Sequence, residues 1–250
     1  IGKTRSIIAA LTEPANAGGT HLGADLLHER RNGLASFWTM PEAESGGAFA
    51  GQAIIIDHED DFTWMLAKIL RQLGLEVSVD HDPDQSTAAA GDLLILGPGP
   101  GDPHDATDPR INKARRWAEA ALTGRFERVL AICLSHQLVC DALGIDVRQL
   151  AQPNQGKQAS IQLWGVERRL AFYNSFSGFI DRANDTRLDA WQVEADDLSG
   201  EIFALRRHGF ETMQFHPESI LSIDGVVVLK EALKRLFDHP AESAEPSTAP

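Results

Sequence analysis

One stretch of ten residues, Arg128–Gln137, constrains the possible folds of this chain more than any other. Its apolar run Val129–Ile132 predicts a buried strand, which ends directly at Cys133. A second apolar pattern, with helical spacing, begins at Leu134. A strand, a cysteine and a helix in direct succession are typical of a nucleophile elbow, in which a sharp turn points one side chain at a substrate. The helix amino terminus would favour the thiolate of Cys133, although a small buried structural cysteine explains this stretch equally well.

Composition limits the partners and the compartment. The 250 residues are 43% hydrophobic and carry a formal net charge of -13, which would repel a phosphate backbone, so we expect no nucleic-acid partner. No apolar run is long enough to cross a membrane, and no signal-peptide pattern opens the chain. Cys133 and Cys140 lie on one predicted helix, about 10 Å apart, which is too far for a disulfide. Two free thiols predict a reducing, cytoplasmic compartment.

Alternating apolar patterns predict an α/β domain over residues 49–238. The first part gives four strands and three helices, at Gln52–Asp57, Phe62–Leu73, Glu76–Val79, Asp92–Leu96, Pro109–Leu122, Val129–Ile132 and from Leu134 to Gly144. This order predicts a three-layer sandwich around a mainly parallel sheet, in a flavodoxin-like arrangement. An antiparallel extension of the sheet is predicted from five short strands and is followed by a last helix, at Ser160–Leu163, Leu170–Phe172, Trp191–Glu194, Ile202–Arg206, Thr212–Phe215 and Gly225–Phe237.

The two ends of the chain are predicted to lie outside this domain. Residues 1–48 contain two short helical patterns and a linker rich in Pro, Glu, Gly and Ser. Two helices cannot form a core alone, so we expect this segment to pack on another domain, in a longer parent chain or in a partner. The first residue is Ile1 rather than Met, which is expected of a fragment. Residues 239–250 predict a disordered tail.

Function in an open α/β sheet gathers at the carboxyl ends of the strands. A cysteine nucleophile needs a base, and the base needs a group that orients it. His216 and Glu218, which follow the strand predicted at Thr212–Phe215, supply both types. Taken alone, a histidine at a strand end such as His216 is more often a hydrogen-bonded surface residue, and a lone His-x-Glu is a poor zinc site.

The glycine-rich loop Gly97–Gly101 also lies at the end of a predicted strand. Its two prolines lack the N–H donors that a phosphate cradle needs, and no Gly-Lys-Ser/Thr follows. The loop suits a single oxyanion better. The amides of Gly99 and Leu134 could stabilise such an oxyanion together, with an ordinary tight turn as the alternative.

Four motifs in this order resemble those of class I (triad-type) glutamine amidotransferases, above all the amidotransferase partners of chorismate-using enzymes such as anthranilate synthase. The motifs are Asp-His-Glu-Asp-Asp-Phe-Thr-Trp at 57–64, Gly-Pro-Gly-Pro-Gly-Asp-Pro at 97–103, Cys-Leu-Ser-His-Gln at 133–137 and Phe-His-Pro-Glu-Ser at 215–219. The resemblance covers about residues 50–237. It implies that Cys133 attacks the side-chain amide of L-glutamine to give a glutamyl thioester and ammonia. His216 would act as base and then acid, and Glu218 would orient it. It also implies a set of residues that bind glutamine or its oxyanion: Gly99, Gly101, Leu134, Gln137, Ser175 and Phe176.

The chain departs from this family at several positions. Ala131 and Ser135 replace the usual glycines two residues before and two after the cysteine. Gln155 replaces the histidine of a usual His-Gly-Lys, and Asn174 replaces the histidine before Ser175. Glycine keeps the elbow uncrowded, but alanine and serine are small, so we expect the turn to survive.

The sequences Cys-Leu-Ser-His-Gln at 133–137 and Asn-Gln-Gly at 154–156 resemble those of the fused amidotransferase domains of phenazine-pathway 2-amino-2-deoxyisochorismate synthases. In such enzymes a chorismate-binding synthase domain and a linker come first, and residues 1–48 resemble the last helices and linker of that domain. The resemblance implies L-glutamine as substrate, a fused or separate synthase domain as partner and a homodimer of the full enzyme. It implies no cofactor or metal in this domain, and Mg²⁺ in the synthase domain. Anthranilate and 4-amino-4-deoxychorismate stay open as alternative products. A catalytically silent scaffold and a stand-alone hydrolase such as a γ-glutamyl peptidase are the alternative functions.

Overall fold

The computed structural model of the chain describes residues 48–83, 85, 93–181 and 187–238. The extension predicted before residue 48 and the tail predicted after residue 238 therefore lie outside the described residues.

Eleven strands form in the described part of the chain, and seven of them make one central sheet. The strands are β1 (Gln52–Ile56), β2 (Glu76–Asp80), β3 (Leu93–Leu96), β4 (Arg128–Ile132), β5 (Asp146–Gln149), β6 (Lys157–Leu163), β7 (Val166–Phe172), β8 (Phe176–Phe179), β9 (Gln192–Ala195), β10 (Ile202–Arg207) and β11 (Phe210–Met213). The central sheet has the order β2-β1-β3-β4-β11-β10-β9. Its first five strands are parallel, which confirms the mainly parallel sheet. All four residues of β3 are buried, as expected for a strand covered on both faces.

Within the described residues, four helices cover the two faces of this sheet. They are α1 (Phe62–Gln72), α2 (Pro109–Leu122), α3 (Leu134–Ala142) and α4 (Gly225–Asp238). On one face α2 and α3 share a core with alternate residues of the parallel strands, among them Ile56, Leu94, Leu96, Val129 and Ala131. The opposite face carries α1 and α4, so the described chain is the predicted three-layer sandwich.

Local chemistry explains where these helices begin and end. The Asp108 side chain accepts a hydrogen bond from the Arg110 backbone N–H, and Pro109 occupies the first helical position of α2. Gly74, with φ 104°, follows the end of α1 and allows the chain to turn back into β2.

The predicted antiparallel extension is only partly correct. β10 and β9 extend the central sheet antiparallel to its neighbouring strands. β6 and β7 instead form a separate hairpin, and β5 pairs with β8 in another two-stranded sheet. Trp164 and Gly165 make the two-residue turn of the hairpin, and both have positive φ, 54° and 80°. A two-residue turn with positive φ at both positions matches the twist of the strands that it joins. Neither β5 nor β8 was predicted.

β11, which was predicted within the antiparallel extension, instead lies parallel to β4 and is shifted from its predicted position. β11 ends at Met213 rather than Phe215. Gln214 N–H still donates to Phe203 O of the neighbouring strand β10, but His216 N–H donates to Ala171 O of β7, so the backbone leaves the central sheet beyond Gln214. This departure carries Gln214 and His216 to the carboxyl edge of the sheet, beside the ends of β3 and β4.

Candidate active site

Cys133 occupies a sharp turn between β4 and α3. Its φ of 51° and ψ of -104° lie in a region that a residue with a side chain rarely adopts, at a cost on the order of 1–3 kcal/mol. Its N–H donates to Met213 O, which continues the sheet, and its carbonyl accepts from Gln137 N–H, which starts the helix. The sequence prediction of a strand, a cysteine and a helix without a loop is thus the geometry observed.

Both unusual residues of the elbow fit their surroundings. Ala131 is buried in the core between its partners Leu96 and Thr212 in the two neighbouring strands. Ser135 is also buried, and its Oγ donates to Gly97 O at 2.7 Å. The hydroxyl therefore links the elbow helix to the start of the glycine-rich loop.

His216 and Glu218 form a buried pair. His216 Nδ1 lies 2.7 Å from Glu218 Oε1, and each residue is 1% exposed. Burial alone lowers the pKa of His216, but the charge of Cys133 and then that of Glu218, together with the Glu218 hydrogen bond, raise it well above its usual value. Within the described residues, His216 Nε2 makes no hydrogen bond of ordinary length and angle. Cys133 therefore raises the pKa of His216 mainly through its charge. The raised pKa favours the protonated imidazole of His216, which lies beside Glu218 and Cys133.

Two aromatic side chains that were not among the predicted site residues pack against this histidine. The centre of the His216 ring lies 4.5 Å from that of Phe62 and 5.1 Å from that of Tyr173. The Tyr173 hydroxyl is 2.9 Å from Ser219 Oγ, which holds the phenol in place. The two rings fix the plane of the imidazole. Phe62 belongs to the 57–64 motif and Tyr173 directly precedes the stretch 174–176, but neither position signals contact with His216.

The glycine-rich loop packs directly on the elbow. A Cβ added at Gly99 would lie 2.7 Å from His58 Cβ and 2.8 Å from Leu134 Cδ2, so only glycine fits there without a shift. Gly101 has φ 127°, which also favours glycine. The predicted oxyanion residues Gly99 and Leu134 therefore lie in contact, beside Cys133.

The residues predicted to hold glutamine meet one helical turn along the elbow helix from Cys133. Gln137 Nε2 donates to Phe176 O at 2.7 Å, and Asn174 Nδ2 donates to the same carbonyl at 2.8 Å. Ser175 is half-buried, and its carbonyl accepts a hydrogen bond from Leu150 N–H. The structure thus brings Gln137 and Phe176 into direct contact and places Ser175 beside them.

Gln214 is a further residue of this site that was not predicted. It is fully buried, its Oε1 lies 3.1 Å from Gln137 Nε2, and its Nε2 lies 3.7 Å from Cys133 Sγ. Its place two residues before His216 is a weak sequence signal, because strand residues two apart face the same side.

A second cysteine–histidine pair shows how different surroundings give different chemistry. Cys140 Sγ lies 3.6 Å from His136 Nε2, and His136 Nδ1 lies 2.7 Å from Thr212 Oγ1. Burial lowers the pKa of His136 to about 3 and raises that of the Cys140 thiol. Both groups are therefore neutral and structural, unlike the charged pair at His216.

The described part of the chain holds neither a candidate metal site nor a helix suited to a membrane. Over residues 48–83, 85, 93–181 and 187–238, no group of three or more His, Cys, Asp or Glu side chains is arranged to hold a metal ion. None of the helices described there combines the length and the apolar character needed to cross a membrane.

Comparison with known proteins shows which family the sequence of this chain matches. The family model described as "Glutamine amidotransferase class-I" matches residues 54–236. The phenazine-specific anthranilate synthase of Pseudomonas fluorescens is 37% identical, over 97% of this chain and 39% of that protein. Aminodeoxychorismate synthase component 2 of Escherichia coli (strain K12) is 32% identical, over 73% of this chain and 99% of that protein.

Solved structures agree on the fold. A Thermoplasma acidophilum protein described as belonging to a GMP synthase superimposes with a TM-score of 0.62 at 18% identity, over 75% of this chain and 94% of that chain. At this identity the likeness concerns the fold alone. The chain spans about 39% of the length of its phenazine-specific relatives.

Proposed function

Because this chain belongs to the class I glutamine amidotransferase family, we propose that it hydrolyses L-glutamine through a thioester on Cys133 and supplies the ammonia to a chorismate-aminating synthase domain. The observation that carries the proposal is the strained Cys133 elbow beside the buried His216–Glu218 pair. A structural cysteine would need neither the strain nor the raised pKa of the histidine.

In the proposed reaction, the Cys133 sulfur attacks the side-chain carboxamide carbon of glutamine. The oxyanion that forms accepts hydrogen bonds from the amides of Gly99 and Leu134. His216 then gives its proton to the departing nitrogen, which leaves as ammonia. Water, deprotonated by His216, attacks the thioester and releases glutamate. Glu218 keeps Nδ1 of the imidazole protonated, so that Nε2 is the atom that carries the moving proton.

The residues proposed to hold the substrate are Gly101, Gln137, Ser175 and Phe176. The contact between the Gln137 amide and the Phe176 carbonyl supports this role, because the α-amino and α-carboxylate groups of glutamine need such acceptors and donors.

The partner proposed for this chain is a chorismate-binding synthase domain, fused upstream or present as a separate chain, in an enzyme that is a homodimer. The names of the relatives support this partner. The product proposed is 2-amino-2-deoxyisochorismate, with anthranilate and 4-amino-4-deoxychorismate as the alternatives. Mg²⁺ is assigned to the synthase domain, and the compartment proposed for the two free thiols is the cytoplasm.

Cys133→Ser in the full-length protein is the decisive test. We expect glutamine-dependent amination of chorismate to fall at least about a thousandfold, while amination with an ammonium salt stays unchanged. Cys140→Ser is the matched control and should retain both activities. Mass and NMR analysis of the wild-type product would identify which aminated chorismate forms. Loss of the ammonium-dependent reaction in Cys133→Ser would contradict ammonia supply as the role of this chain.

A further inference from the structure

Gln214 places an amide N–H against the reactive sulfur. Its Nε2 lies 3.7 Å from Cys133 Sγ, in a site where Gln214 is 0% exposed. Resting on the glutaminase activity proposed above, we propose that Gln214 is a further catalytic residue. Its N–H stabilises the Cys133 sulfur whenever the sulfur carries negative charge, as the resting thiolate and as the leaving group when the thioester is hydrolysed.

A chain of hydrogen bonds fixes which way the Gln214 amide points. The Phe176 carbonyl can only accept, so Gln137 must turn its NH₂ group towards it, at 2.7 Å. The same Gln137 NH₂ group also donates to Gln214 Oε1 at 3.1 Å. With its oxygen used in this way, Gln214 presents its NH₂ group to the sulfur. Gln137 is therefore a positioning residue for Gln214, in addition to its proposed contact with glutamine.

The Gln214 amide differs from the other groups that act on the sulfur. His216 is paired with Glu218, and in the proposed reaction His216 exchanges a proton with the reactants. An amide neither gains nor loses a proton at neutral pH, so Gln214 can stabilise the anionic sulfur without protonating it. Because the site is buried, water does not compete for this hydrogen bond.

The hydrolysis step is where this bond strengthens most. Water adds to the thioester carbonyl carbon and gives a proton to His216. The carbon–sulfur bond then breaks, and its electron pair stays on Sγ while the carbonyl becomes the carboxyl group of glutamate. A thiolate accepts a hydrogen bond more strongly than a thioester sulfur does. The interaction with Gln214 therefore grows as the bond breaks, which lowers the barrier for this step.

Alkylation of Cys133 tests the resting-state role without any need for glutamine turnover. The full-length protein is treated with iodoacetamide across a pH series, and modification of the Cys133 peptide is followed by mass spectrometry. In Gln214→Met and in Gln214→Leu, both of which lack the donor and add no charge, we expect the pH midpoint of the rate to rise by about one unit. Gln72→Met, a change of a buried glutamine on α1, is the matched control and should leave the midpoint in place.

This design separates the inference from the glutaminase proposal. A protein without glutaminase activity would still give an alkylation profile, so failure of that proposal leaves the test of Gln214 intact. An unchanged midpoint in the Gln214 variants, with the cooperative unfolding of the wild type retained, would overturn the inference. If Gln214→Met does not fold, the uncharged Gln214→Leu decides the outcome.

Trapping of the intermediate tests the leaving-group role. Acid quenching during turnover of glutamine, followed by mass analysis of the Cys133 peptide, gives the fraction of enzyme held as thioester. We expect this fraction to rise severalfold in Gln214→Met, because loss of the donor slows hydrolysis more than attack. A fraction equal to that of the wild type, or lower, would refute the leaving-group role.

Discussion

At the scale of single residues, Ser135 is the departure from the family pattern whose role the structure makes testable. Its Oγ donates to Gly97 O at 2.7 Å inside the protein, and Gly97 begins the loop that carries the proposed oxyanion donor Gly99. Removing the hydroxyl leaves a buried carbonyl without this donor, and the loop loses a link to the elbow.

We expect Ser135→Ala and Ser135→Gly to lower kcat for glutamine about tenfold with little change in KM, because oxyanion donors act in the transition state rather than on bound substrate. Steady-state glutaminase kinetics on the full-length variants measure both constants. Ser160→Ala, at an exposed position of β6, is the control. A rise in KM at constant kcat would show that Ser135 serves substrate binding instead.

The sequence could predict those site residues whose contacts are formed by residues close to them in the chain. Cys133 has a local signal, because a strand and a helix that meet without a loop leave one residue at the turn. His216 and Glu218 are two apart on one strand end, so their contact is local as well. Gln214 meets Cys133 only because β11 and β4 are neighbours in the sheet. Likewise, Tyr173 reaches His216 only because His216 N–H bonds to Ala171 O. Contacts of this kind depend on strand order, which no residue pattern of the chain specifies.

At the scale of elements, one ion pair fastens α4 to the strand that leads into the site. Arg235 Nε and Nη2 donate to the two carboxylate oxygens of Glu211 at 2.6 and 2.9 Å. The Glu211 side chain is 4% exposed and that of Arg235 is 33% exposed. Because the carboxylate is buried, removing Arg235 alone leaves an unpaired charge in the protein.

We expect Arg235→Met to weaken the docking of α4 by about 2 kcal/mol, a value reduced from that of a fully buried pair because Arg235 is partly in water. Hydrogen exchange of the α4 peptides in the full-length protein should then be roughly 30-fold faster. The double variant Arg235→Met/Glu211→Gln removes the unpaired charge and should recover more than half of this loss. Equal effects in the single and the double variant would contradict a cost due to the buried charge.

The elements that the sequence predicted well and those it missed differ in the range of their interactions. α2 begins at Pro109 as predicted, because its cap is formed by adjacent residues. The short strands β5 and β8 have few apolar residues in alternation, and their pairing joins Asp146 to Phe179 across more than thirty positions. The hairpin β6–β7 was predicted as two strands but assigned to the central sheet, because the Trp164-Gly165 turn is not one of the strong hairpin signals.

At the scale of the whole molecule, two features of the candidate site differ from what the proposed reaction needs. Gln137 Nε2 is bonded to Phe176 O, and His216 Nε2 makes no hydrogen bond of ordinary geometry within the described residues. Productive binding of glutamine would have to rearrange the first contact while Gln137 stays bonded to Gln214. It would also have to bring Cys133 and His216 closer together. A synthase domain that binds chorismate could favour that rearrangement, and free glutaminase activity would waste glutamine and release ammonia.

We therefore predict that glutaminase activity in the full-length protein is low without chorismate and rises at least about fivefold when chorismate binds, which corresponds to an activation barrier lower by about 1 kcal/mol. The measurement is glutamate release from glutamine with and without saturating chorismate, with shikimate as the control ligand because it lacks the enolpyruvyl group. Coupling between binding sites is reciprocal, so glutamine bound to Cys133→Ser, which cannot form the thioester, should tighten chorismate binding by the same factor that chorismate tightens glutamine binding. Titration of each ligand in the presence of the other measures both factors. Equal rates of glutamate release with and without chorismate would show that the amidotransferase site is active independently of the synthase.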